Sequence, residues 1–131
     1  MTRRIFSIVY LLTGLAIGLG AFGHGLGGIR PVEAALATVT LDARVTSILY
    51  VVWYFVSGCM LVFAAIIAWT WLRWRKGQSN VFFASDAIGV FYVISGAASV
   101  FYSGVAFFWT FVVLGAVLLI SSFGLRKASR Q

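Results

Sequence analysis

The sequence ILYVVWYFVSGCMLVFAAIIAWTW occupies residues 48–71, and none of its twenty-four side chains carries a charge. An α-helix rises about 1.5 Å per residue, so this stretch would form a helix roughly 36 Å long. That length crosses a hydrocarbon core of about 30 Å with some tilt. In a water-soluble domain such a helix would be apolar on every side, with no surface to bury it. The stretch therefore predicts a membrane-spanning helix.

The composition of the whole chain agrees with a membrane location. The chain has 131 residues, of which 62% are hydrophobic and 10% charged, and its mean hydropathy is +1.02. An ordinary soluble domain has about 25% charged residues. The net charge is +7, but the basic residues flank the apolar stretches, as membrane orientation requires, so we expect no nucleic-acid partner. A single cysteine excludes an intramolecular disulfide.

Three further apolar stretches repeat the pattern. Together they predict one all-α integral membrane domain, residues 1–131, folded as an up-down-up-down bundle of four transmembrane helices. In the first loop, residues 24–43, Pro31 suits a first helical turn and Glu33 complements the helix dipole there. A short interfacial helix from about residue 31 to residue 39 is therefore expected. The four spans are expected at about residues 5–23, 44–72, 81–101 and 105–123.

The distribution of Lys and Arg predicts the orientation of the bundle. Eight basic residues lie in the two terminal segments and in the turn after the second span, against two around the first loop. Both termini are therefore expected in the cytoplasm, with residues 24–43 on the periplasmic side of an inner membrane. The apolar stretch after Arg3 and Arg4 is longer than the about 7–15 residues of a secretory signal. We expect the first helix to be retained, although small residues at its end leave cleavage open.

Asp86 is the only acidic residue inside an apolar span. A carboxylate there costs several kcal/mol unless it is paired or hydrated, so the residue is a candidate for function. The expected partners are Arg73, Arg75 or Lys76 across the adjacent turn. Coupling to an ion or proton in transport, and contact with a partner subunit, are the alternatives.

Polar candidates also lie on the outer side. His24 is the only histidine and follows the first helix, where it is expected to form interfacial hydrogen bonds rather than to bind metal or relay protons. Asp42 is placed to cap the second helix, and Ser79 or Asn80 the third. Four charged residues are expected to pair or cap within the loop, with recognition of a ligand head group as the alternative: Arg30, Glu33, Asp42 and Arg44.

Two stretches contain small residues spaced for close helix packing. Gly14 and Gly18 form one such face, and Ser95 and Ser99 mark a second. Packing within the chain is expected, and a dimer seam is the alternative. The basic turn around Trp74 sets orientation, and its cationic side chains are also candidates for contact with anionic lipid head groups: Arg73, Arg75 and Lys76.

The sequence contains no motif that specifies a reaction. It has no Ser/His/Asp set, no paired carboxylates in one span, no CxxC and no phosphate loop. We therefore expect no catalytic residue, no metal site and no cofactor. The expected function is that of a non-enzymatic accessory or assembly subunit, or a self-associating bundle. Its partners would be membrane lipids and other membrane subunits or further copies of itself.

Two alternative functions remain open. One is a small transporter or channel that uses Asp86. The other is a lipid- or quinone-binding protein working at an outer aromatic girdle near His24, formed by Trp53, Tyr54, Tyr102 and Trp109.

The His24-Gly25 pair after a glycine-rich first helix, together with the four-span layout, resembles the DoxX-like group of small bacterial inner-membrane proteins. That resemblance implies four helices and an accessory role in a membrane redox complex. Members of the group carry a lysine shortly after the His-Gly pair and an acidic residue in the second span. Here Leu26, Gly27 and Gly28 follow, and residues 44–72 contain no acid, so no functional residue is carried over. The chain is also similar in size to small multidrug transporters, but its first helix lacks their membrane-embedded acid.

Overall fold

A computed structural model of the protein describes residues 2–78 and 80–128. Within these ranges the regular structure is entirely helical, without a strand. A π-helix, Gly23–Gly27, joins the first two α-helices, and a short 3₁₀ turn, Ala106–Phe108, precedes the last one. The α-helices are α1 (Thr2–Phe22), α2 (Ile29–Leu36), α3 (Ala43–Arg75), α4 (Phe83–Ser103) and α5 (Trp109–Ala128).

Four helical segments in the described chain are long and apolar enough to cross a membrane. They correspond to the four stretches predicted from the sequence, so the predicted fold class, an all-α four-helix transmembrane bundle, is confirmed. The segments are Arg3–Leu36, Ala43–Arg75, Phe83–Ser103 and Ala106–Ala128.

The first span differs from the prediction, because it does not end before the loop helix. The backbone N–H of Gly28 donates to the Gly23 carbonyl at 2.8 Å, a bond that spans five residues and widens one turn of the helix. Because this turn keeps its backbone hydrogen-bonded, α1 continues into α2 without a break. The loop helix consequently begins at Ile29 and ends at Leu36, earlier at both ends than expected.

One of the two predicted helix caps is present. Asp42 caps α3, and its carboxylate accepts from the backbone N–H of Arg44 at 2.8 Å, as predicted. The cap expected for α4 is not provided by Asn80, since that helix starts two residues later than predicted and Phe82 occupies the cap position without a side-chain bond. The alternative cap, Ser79, lies outside the described residues.

The order of the helices around the bundle differs from their order in the chain. Helix α1 packs against both α3 and α5, and α4 packs most extensively against α5. Contact between α3 and α4 is slight, although a short turn joins them. The helices therefore follow one another as α3, α1, α5 and α4, and the bundle is incompletely closed between α3 and α4.

Glycines allow close approaches between helices in two parts of the bundle. A Cβ atom built on Gly14 would lie 2.7 Å from Ile67 Cγ2, and one on Gly18 would lie 3.2 Å from the Ala64 Cβ. The small-residue face of α1 is therefore covered by α3 of the same chain. One close approach of α4 to α5 occurs at Gly96, where a Cβ would lie 2.8 Å from the Val112 nitrogen.

The second predicted packing face is consequently displaced. Ser95 and Ser99 flank Gly96 in sequence, but successive helical residues point about 100° apart. Their half-buried side chains line a cleft, whereas Gly96, which has no Cβ, makes the contact with α5.

Candidate binding cleft between α3 and α4

A cavity of about 390 Å³ occupies the opening between α3 and α4. It lies toward the end of the bundle that carries the first loop, which we call the loop end; the opposite end, with both chain termini, is the termini end. Typical small-molecule pockets enclose about 300–1,000 Å³, so this cleft falls in the range of ligand sites. Six aromatic side chains form much of its wall: Phe55, Phe63, Phe91, Tyr92, Phe108 and Phe111.

Aromatic contacts bridge α3 and α4 at the cleft. Phe63 of α3 lies edge-on to Phe91 and Tyr92 of α4, with ring centroids 5.8 Å and 6.3 Å apart. The ring of Tyr92 lies edge-on to Phe111 of α5 at 5.8 Å. Edge-to-face rings attract one another beyond the area they bury. These rings hold three helices at a fixed spacing and leave the adjoining space unfilled.

His24 borders the cleft from the π-helix. Its Nδ1 lies 2.9 Å from the Ser57 hydroxyl, and its ring stacks on Trp53 with centroids 4.1 Å apart and planes at 14°. The indole N–H of Trp53 donates to the His24 carbonyl at 2.9 Å. The histidine is therefore fixed on both backbone and ring, in keeping with the expected role as a hydrogen-bonding residue. Its Nε2 forms no hydrogen bond with a described residue.

Three residues that line the cleft have a hydroxyl without a hydrogen-bond partner among the described residues: the buried Tyr92 and the half-buried Ser95 and Ser99. Elsewhere in the bundle, helical hydroxyls commonly donate to a carbonyl one turn earlier, as Ser47 does to Ala43 at 2.9 Å and Ser103 does to Ser99 at 2.6 Å. Within residues 2–78 and 80–128, Ser95 and Ser99 form no such bond. Because Ser95 and Ser99 are only half-buried, their hydroxyls are accessible to a bound molecule that could pair with them.

The charged residues predicted on the outer side do not assemble into a site. Arg30, Glu33, Asp42 and Arg44 are all exposed, and none of them forms an ion pair within the described part of the chain. Asp42 has a capping role, as its bond to the Arg44 backbone shows. Of the expected pairing and capping, the described residues therefore show the Asp42 cap alone, and nothing among them supports the alternative, a cluster that recognises a head group.

The predicted aromatic girdle is distinct from the cleft. Trp53 contributes through its stack on His24, but it is not part of the cleft wall. Tyr54, Tyr102 and Trp109 are more than half exposed on the outside of the bundle. The predicted girdle therefore lies at the same end of the bundle as the cleft but does not coincide with its wall, which carries several phenylalanines instead.

Asp86 lies near the termini end, away from the cleft. Its carboxylate accepts hydrogen bonds from the guanidinium of Arg126 and from the hydroxyl of Ser122, both on α5. The expected partners on the turn after α3 are therefore wrong. The reason is the helix order: α4 packs along α5, whereas α3 contacts α4 only slightly.

The basic residues of that turn contact tryptophans instead. Arg73 lies over the ring of Trp69 at 5.8 Å, and Arg75 lies over Trp71 at 4.9 Å. A cation over an indole face is attracted by the quadrupole of the ring. Lys76 is exposed beyond them. All three remain candidates for contact with lipid head groups, and two of them, Arg73 and Arg75, lie against tryptophan rings.

Comparisons with known proteins do not place the chain in a family. No family model, no curated protein and no solved structure matches it. The resemblance to DoxX-like proteins therefore stays a prediction, and the functional interpretation depends on the geometry of the cleft.

Proposed function

We propose that this small multi-pass membrane protein binds a lipophilic molecule, of the lipid or quinone class, in the cleft between α3 and α4. The observation that carries the proposal is a ligand-sized cavity with an aromatic wall and two accessible, unpaired serine hydroxyls, those of Ser95 and Ser99. Ligand sites are mostly apolar, with a few polar groups that fix orientation. Because α3 and α4 touch only slightly, a molecule dissolved in the bilayer reaches the cleft between them.

Binding without catalysis fits the groups on the cleft wall. The wall carries no carboxylate, and the Nδ1 of its one imidazole, His24, is engaged by Ser57. The role in transport loses support, since the Asp86 carboxylate is already paired with Arg126 and Ser122. An accessory or self-associating role stays possible beside ligand binding, but the Gly14 face that suggested it is covered by α3.

The ligand-binding proposal is tested by what the purified protein retains. Ser95→Phe places a large ring in the cleft, so we expect the bound molecule to fall by about tenfold or more, which corresponds to about 1.4 kcal/mol of lost affinity. Ala97→Phe is the matched control, because Ala97 is exposed on the same helix and does not line the cleft. The measurement is mass spectrometry of molecules extracted from the wild type and both variants, purified from native membranes.

The folded state of each variant is checked by its helical circular dichroism and its elution as a single species. One compound present in the wild type and in the Ala97 variant, and lost from the Ser95 variant, supports the proposal. An identical set of extracted molecules from all three proteins would contradict it.

We also propose that both termini face the cytoplasm of an inner membrane. Seven of the described basic residues lie in α1 before residue 5, at the end of α3 and its turn, and at the end of α5, whereas Arg30 and Arg44 lie at the loop end. We expect alkaline phosphatase fused after residue 128 to be inactive, and the same enzyme inserted after residue 40 to be active. The reverse pattern in whole cells would contradict this orientation.

A further inference from the structure

The cleft wall favours a ring over a flexible chain as its occupant. Its phenylalanine and tyrosine rings come from all three helices around it, and several of them already meet edge-on, with Phe63 central to the group. A planar ring can add further edge-to-face contacts to such a wall, each of which gains attraction beyond area burial. A saturated chain gains only the area term, and it loses more rotational freedom on binding.

The unpaired serine hydroxyls can donate to acceptors on that ring. Ser95 and Ser99 are four residues apart on α4, so their side chains are displaced by about 6 Å along the helix axis. Carbonyl oxygens on opposite sides of a six-membered ring have a comparable separation. Each hydroxyl can donate to one such oxygen, and both donors lie on a wall that is otherwise mainly apolar.

The absence of charge on the wall limits the ligand to a neutral molecule. None of the twelve side chains that line the cleft belongs to Lys, Arg, Asp or Glu. Transferring an ionised group from water into such surroundings without a counter-charge is strongly unfavourable. A free fatty acid in its ionised form would therefore be excluded from the position next to Ser95.

We infer that the cleft selects an uncharged planar ring compound carrying carbonyl oxygens, held by hydrogen bonds from Ser95 and Ser99 and by the surrounding aromatic rings. This inference rests on the proposed function, since it names the chemistry of the molecule bound in the same cleft. The hydroxyls provide selectivity, and the rings provide most of the affinity.

The test compares two probes of the same shape. Duroquinone is a fully methylated benzoquinone, which leaves no free ring position for the Cys59 thiol on the cleft wall to attack. Durene has the same ring and methyl groups but lacks the oxygens. Dodecanol is the uncharged chain probe. Apparent dissociation constants are obtained from the ligand dependence of thermal unfolding, which follows mass action when only the folded state binds.

The proteins compared are the wild type, the double variant Ser95→Ala with Ser99→Ala, and the control Ser47→Ala. Ser47 is exposed near the start of α3, away from the cleft. We expect duroquinone to lose about 30-fold in affinity in the double variant, since two hydrogen bonds are removed and each is worth roughly a factor of five. Durene should bind the double variant and the wild type equally. Comparing one probe on two proteins in the same detergent cancels its partition into micelles.

The outcomes separate the inference from the proposed function. If the double substitution weakens duroquinone binding no more than durene binding, the cleft binds lipophiles but the ring-carbonyl inference is overturned. The same conclusion follows if dodecanol binds the wild type more tightly than the other probes do and this binding is lost in the Ser95→Phe variant. If no probe stabilises the wild type more than the Ser95→Phe variant, the inference and the proposed function both fail.

Discussion

Replacing Gly115 with alanine is expected to destabilise the protein by about 3 kcal/mol, because it places a methyl group between two backbones. A Cβ at this position would lie 2.5 Å from the Gly89 carbonyl oxygen and 2.8 Å from the Val93 nitrogen. Neither atom belongs to a side chain that can rotate away. The helices α4 and α5 must therefore separate, and the contact between them is the largest in the bundle. The measurement is the free energy of unfolding from a denaturant titration of the purified protein.

Gly58→Ala is the matched control for this change. Gly58 lies inside α3 on an exposed face, and a Cβ there would meet nothing within 4 Å. The same added methyl group should stabilise the helix by up to about 1 kcal/mol through its higher helix propensity. The two Gly→Ala substitutions are therefore expected to change the free energy of unfolding in opposite directions. An unfolding free energy for the Gly115 variant equal to that of the wild type would show that α4 and α5 do not approach this closely.

The Gly115 contact also bears on the cleft. The close approach of α4 to α5 and of α1 to α3 leaves α3 and α4 apart, and the cleft is the space between them. Close helix packing at glycines on one side of the bundle thus leaves an open space between the helices on the other side. A variant that forces α4 away from α5 should reduce ligand retention as well as stability.

The four spans and the Asp42 cap could be predicted from the sequence because both depend on local features. An uncharged stretch of residues such as 48–71 must find an apolar environment whatever its neighbours are. A capping carboxylate acts on a backbone group two residues away, as the bond from Arg44 to Asp42 shows. Neither inference requires knowledge of which helices touch.

The cleft and the partner of Asp86 could not be predicted in this way, because both depend on helix order. The expectation that helices joined by a short turn pack together assigns Arg73 and its neighbours as partners of Asp86. The actual contact partner of α4 is α5, which supplies Arg126. One available signal was the spacing of Gly89 and Gly96, seven residues apart on one face of α4, which marks the side that approaches another helix.

Arg126→Met is expected to destabilise the protein by about 2 kcal/mol, because it leaves the Asp86 carboxylate partly buried without its cation. The two side chains are only 35% and 23% exposed, and α5 positions the guanidinium over the ring of Phe82 at 5.7 Å. Asp86→Asn should cost a similar amount for the converse reason. In the double variant neither charge remains, so its loss should be clearly smaller than the sum of the two single losses.

Lys127→Met serves as the control for removal of a cation from the same helix end. Lys127 is exposed beside Arg126, so its loss should cost no more than about 0.5 kcal/mol through the helix dipole. A double-mutant cycle on unfolding free energies measures the coupling directly. Additive losses for Asp86 and Arg126 would mean that the pair is not formed in the membrane. The Asp86 carboxylate would then have no cation partner, and a role in ion coupling would again become the better explanation for an acid inside the span.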